Sequence, residues 1–119
     1  MQSTTAQNPR PRVIPPVLVP ALHDVKKALR AIYGARLGAI YLYGSYARGD
    51  YDADSDVDLL VTLRGEANPW VESSRLSETL SDICLTHDLL IAAYTVPEVW
   101  LRERETPLFI NIRREGVLV

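Results

Sequence analysis

The sequence predicts an α+β (α/β) domain: a small β-sheet flanked by helices. Two observations predict it. Short apolar runs of strand length, at 37–43, 57–63 and 89–94, are interspersed with segments whose apolar residues recur at three- and four-residue spacing. The 119 residues amount to one domain, able to cover about two-thirds of the surface of the unfolded chain.

Residues 1–20 hold five of the eight prolines and no acid, and read as a Pro-rich extended arm. A helix follows at 21–33, with Leu22, Val25, Leu29 and Ile32 on one stripe and Gly34 as its C-cap. The strand 37–43 ends at Gly44-Ser45, and a helical turn through Tyr46, Ala47 and Arg48 leads to Gly49. The second strand covers 57–63. A long helix at 69–86 has Trp70, Leu76, Leu80, Ile83 and Cys84 as its inward face. The run 89–94 reads as a buried strand. Pro97 and Pro107 open two short helices, 97–104 and 107–114, and 117–119 is a last short strand.

Composition excludes several function classes. A formal charge of −2 argues against a surface built to grip nucleic acid through its phosphates. A single Cys forbids an intramolecular disulfide. No run approaches the roughly 18 apolar residues of a membrane span, and no signal-peptide pattern opens the chain, so a cytoplasmic protein is expected.

The acids are concentrated. Asp50, Asp52, Asp54, Asp56 and Asp58 occupy alternate positions in one nine-residue stretch. Side chains two apart on a strand share a face, about 6.6 Å apart along the strand, so Asp56 and Asp58 can converge on one Mg²⁺. Val57, Leu59 and Val61 then face the core. Upstream, Gly44 allows close backbone approach to a ligand, and the helical turn after it offers free N–H groups to an anion. Phosphate donors beside metal-binding carboxylates make one half of a nucleoside triphosphate clamp. The competing motifs fail. In either calcium-loop register a Ser or Val stands where Gly is required. No Walker sequence exists. One Cys and two distant His residues do not make the usual zinc ligand set.

The run Gly44-Ser45-Tyr46-Ala47-Arg48-Gly49, followed by Ser55-Asp56-Val57-Asp58-Leu59-Leu60-Val61, resembles the G-S-x-A-R-G…S-D-x-D-L signature of minimal nucleotidyltransferases of the DNA polymerase β-like superfamily. The resemblance implies a mixed sheet in a nucleotidyltransferase core over 21–119. It also implies transfer of a nucleoside monophosphate, AMP from ATP, to an acceptor hydroxyl with two Mg²⁺ ions. Gly44 and Ser45 would hold the triphosphate and Arg48 would reach a phosphate, although an ion pair with a loop aspartate competes for Arg48. Asp56 and Asp58 would hold the metals. The third carboxylate lies on a later strand, where Asp88 is the candidate, and it would help to deprotonate the nucleophile. Many members are antitoxins paired with a small helical toxin of the HEPN class, and some transfer AMP onto a toxin tyrosine. A rival reading is a catalytically inactive protein of this fold that neutralises its partner by binding alone. The arm and the apolar segment around Trp100 and Phe109 are the surfaces expected to take such a partner, or a second copy of the chain.

Overall fold

A computed structural model describes residues 13–119. Its elements are α1 (Val19–Tyr33), β1 (Leu37–Tyr43), the single turn α2 (Ser45–Arg48), β2 (Val57–Leu63), α3 (Pro69–His87), β3 (Ile91–Pro97), α4 (Glu98–Glu103), α5 (Pro107–Glu115) and β4 (Val117–Leu118). The four strands form one mixed sheet in the order β3-β2-β1-β4. β1 runs antiparallel to β2 and to β4, whereas β2 and β3 are parallel. That parallel pair needs a crossover, and α3 provides it.

Two cores lie on opposite faces of this sheet. One takes Leu22, Val25 and Leu29 of α1 and Leu76 of α3 against Leu42, Val57, Leu59, Val61 and Leu63. The other takes Phe109 and Ile112 of α5 against Leu60 and Val96, with Tyr41, Tyr43 and Tyr94 partly covered at its margin. The alternation along β2 divides the two sets.

Local signals fix the ends of the helices. Gly34 ends α1 at φ 54°, and its N–H donates to the Arg30 carbonyl. The Asn68 side chain caps α3 by accepting from the N–H groups of Trp70 and Val71, at 3.0 and 3.3 Å.

The structure corrects the sequence reading in three places. Residues 16–18 form a 3-10 turn and α1 begins at Val19, so the expected arm reaches into folded structure. Leu18 is wholly buried there, while the first twelve residues of the arm lie outside the described residues. Trp70, expected inside, is 83% exposed. Glu72 is instead the residue of that turn that lies inside, where its Oε1 accepts a 2.6 Å hydrogen bond from the Tyr33 hydroxyl. The third strand begins at Ile91, two residues later than expected, because α3 continues to His87.

Candidate active site

The open end of the second face is built where β1 ends and β2 begins. β1 terminates at Tyr43 and Gly44 turns the chain at φ 76°, a left-handed value that favours glycine. The carbonyl of Gly44 accepts from the N–H groups of Ala47 and Arg48, at 3.1 and 3.0 Å, which closes α2. The N–H groups of Ser45 and Tyr46 precede that first bonded turn and have no partner within it. A Cβ placed on Gly44 would sit 2.5 Å from Oδ2 of Asp58. Glycine at 44 is therefore required twice, by its backbone angle and by the carboxylate packed against it.

Asp58 is the second residue of β2 and Asp56 immediately precedes the strand. Asp58 is half-buried and Asp56 exposed, while Val57 between them is wholly buried. The expected division of acids on one face and apolar residues on the other is present. Burial, and then the neighbouring negative charge of Asp56, push the Asp58 carboxyl above its ordinary value, and Arg48 opposes this. A site that disfavours the charged form of Asp58 beside a second carboxylate favours a cation there.

Arg48 is held by two acids. Its Nε lies 3.3 Å from Asp50 and its Nη1 3.5 Å from Glu115 at the end of α5. The expected pairing with a loop aspartate is thus observed, and Glu115 is a partner the sequence did not reveal. Asp52 serves the loop itself, since its Oδ1 accepts from the Asp54 N–H at 2.9 Å. Tyr51 stacks on the buried Tyr46 with centroids 4.4 Å apart.

Asp88 is not brought to the pair. It is the exposed C-cap of α3 at φ 52°, with its N–H bonded to the Cys84 carbonyl, and it stands three residues before β3. Opposite Asp58 on β3 is Ala92, and β3 has no acid over its length. Among the described residues no three His, Cys, Asp or Glu side chains gather as a metal set. His87 is committed elsewhere, with its Nε2 2.6 Å from Asp24 of α1.

The donors present fit one hard cation. Asp56 and Asp58 supply carboxylate oxygens, the preferred ligands of Mg²⁺, next to backbone shaped for close approach of a phosphate. They do not by themselves fit two ions.

The profile of the nucleotidyltransferase domain family matches residues 22–106, which include Gly44, Ser45, Asp56 and Asp58. A protein of Methanocaldococcus jannaschii designated a candidate protein adenylyltransferase is 30% identical over 102 residues, 86% of this chain and 98% of its own length. A second such protein from that organism is 46% identical over 41 residues, 34% of this chain and 41% of its own length. Among solved structures, one described as a toxin–antitoxin with AMP-PNP superposes with a TM-score of 0.58 at 22% identity, over 81% of this chain and 69% of that one. The toxin–antitoxin MntA–HpeT superposes at 0.55 and 21% identity, over 82% and 70%. These superpositions support the fold, and the sequence matches support membership: the chain belongs to the nucleotidyltransferase domain family and is a nucleotidyltransferase of small size.

Proposed function

We propose that this protein transfers AMP from ATP to a hydroxyl of a protein acceptor, in a Mg²⁺-dependent reaction, as the antitoxin partner of a small helical HEPN-type toxin. The single observation that carries the nucleotide site is the packing of the Asp58 carboxylate against Gly44, which joins the phosphate-binding turn to the metal-binding strand. The relative designated a candidate protein adenylyltransferase supports AMP and a protein acceptor. The fold shared with toxin–antitoxin structures, and the resemblance of the motif to antitoxin-type members, support the toxin. The resemblance implies that some members of that class transfer AMP onto a toxin tyrosine, and a toxin tyrosine is the acceptor we assign.

The roles follow from position. The N–H groups after Gly44, with the Ser45 hydroxyl, receive the triphosphate oxygens, and Asp56 and Asp58 hold Mg²⁺. Bound Mg²⁺ neutralises charge on the phosphates and so favours attack at the α-phosphorus. The acceptor hydroxyl gives its proton to solvent water as its oxygen forms a bond to that phosphorus, and the bond from the phosphorus to the α–β bridging oxygen breaks to release pyrophosphate. Arg48 stands at the end of α2 within electrostatic range of Asp58 and is the cation that can turn to the phosphates.

A second reading, neutralisation by contact alone, is favoured by one observation: β3 brings no carboxylate to the pair. The two readings separate by experiment. The purified protein incubated with ATP, Mg²⁺ and the toxin should add AMP to a toxin tyrosine, read by intact mass, and Asp58→Asn should abolish it. A complex that forms without any mass change would exclude the transferase reading. Mg²⁺ and ATP at about 100 times their dissociation constant should also stabilise the fold by about 2.7 kcal/mol. An unchanged melting temperature would exclude nucleotide binding.

A further inference from the structure

We propose that this chain binds one divalent cation, the one that accompanies the nucleoside triphosphate, and supplies no ligand set for a second. This rests on the nucleotide reading above and sharpens it.

The number of ions at a site of this kind depends on how many carboxylates share one face across neighbouring strands. Asp58 has two direct neighbours on its face of the sheet. On the antiparallel side the partner is Tyr43, and on the parallel side it is Ala92. Neither carries a carboxylate. β3 offers none from Ile91 to Pro97. The acid that precedes it, Asp88, is four residues from Ala92, a path of about 13 Å if extended. Its left-handed backbone and its bond to the Cys84 carbonyl tie it to the end of α3. Of the other acids near the pair, Asp54 is exposed on the loop and Glu115 is paired with Arg48. Asp50 pairs with Arg48, and Asp52 holds the Asp54 N–H and the Ser55 hydroxyl.

Charge makes the difference. Two carboxylates, the oxygens of a triphosphate and water would satisfy one Mg²⁺. A second dication within about 4 Å would repel the first and needs further anionic ligands to hold it. Ala92 marks the vacant ligand position: it is exposed, and a carboxylate there would stand beside Asp58, since facing residues of paired strands approach to about 5 Å.

The test is the number of Mn²⁺ ions retained per bound α,β-methylene-ATP by the full chain, measured by equilibrium dialysis with the free ion counted by electron paramagnetic resonance. The expected ratio is one. Asp88→Asn should leave both the ratio and the nucleotide affinity unchanged, and Ala92→Asp should raise the ratio to two. A ratio of two in the unaltered chain would overturn the inference while upholding the nucleotide site, whether or not Asp88→Asn lowers it. A folded Ala92→Asp chain that still retains one ion would overturn the assignment of position 92. Failure to retain any nucleotide would overturn the nucleotide reading itself. If Ala92→Asp does not fold, the unaltered chain and Asp88→Asn decide the ion count.

Discussion

The two faces of the sheet are covered to different extents. The face against α1 and α3 is sealed, and Leu29, Leu42, Leu59 and Leu63 are wholly excluded from solvent. The other face is sealed where α5 and α4 lie on it, at Leu60, Thr62, Val96, Phe109 and Ile112, with Trp100 and Leu101 of α4 packed against them. Beyond α5 the face opens, with Asp58 and Tyr43 half-covered and Ala92 exposed. A small domain has limited apolar surface to bury. Here one face and half of the other hold the fold together, and the uncovered half is left for ligand chemistry. Substitutions on the sealed face should cost stability, and those on the open end should cost binding with little loss of stability.

The largest effect is expected at Leu59. Leu59→Ala should lower unfolding free energy by about 2–5 kcal/mol in urea titrations, since it leaves a cavity between sheet and helices. A loss below about 1 kcal/mol would mean that the sealed face can collapse around the gap. Next is Tyr33→Phe, which strips the buried Glu72 carboxylate of its hydroxyl donor and leaves only Arg75, 3.5 Å away. About 1–3 kcal/mol should be lost. Gly44→Ala should cost about 1 kcal/mol or more from its backbone angle. It should also abolish nucleotide-dependent metal binding, because the added carbon displaces the Asp58 carboxylate.

The smallest effect on stability has the opposite sign. The folded-state carboxyl of Asp58 titrates above its unfolded value, so between those two values the native state holds more protons than the unfolded one. Its contribution to stability is therefore lost as pH rises through that window. Asp58→Asn should flatten this part of the pH–stability curve and leave the protein slightly more stable at neutral pH, while metal binding is lost. A variant that is less stable at neutral pH would show that the carboxylate is held by favourable contacts instead.

Much of this division is legible in the sequence, because the strand period sorts Val57, Leu59 and Val61 from Asp56 and Asp58 without knowledge of the partners. The turn is legible for the same reason, since Gly44-Ser45 is a local signal. The misreadings are non-local. Glu72 lies four residues before Leu76 on the inward stripe, but its burial depends on Tyr33, 39 residues away. A charged Glu gives no local signal of burial, and Trp70 is the large apolar residue of that turn. Asp88 stands at the edge of the apolar run 89–94, and α3 ends there without the usual Gly. An aspartate takes the left-handed cap instead, which Asp and Asn tolerate better than most residues. The pairing of His87 with Asp24 spans 63 residues and leaves no local trace.

The strand order has a consequence for how the chain assembles. Tyr41 meets Leu60 across one edge of β1, nineteen residues on, and Leu118 across the other, seventy-seven residues on. The first pairing closes a short loop. The second must wait until residues 117 and 118 are available, and loop-closure entropy delays it further. During that interval β1 presents a bare row of amides and carbonyls, the feature that recruits other strands into aggregates. Val119 completes the protection by donating its N–H to the Ile40 carbonyl at 2.8 Å. In pulse-labelled hydrogen exchange, amides shared by β1 and β2 should gain protection before those shared by β1 and β4. Nascent chains halted before residue 117 should be the species most prone to associate.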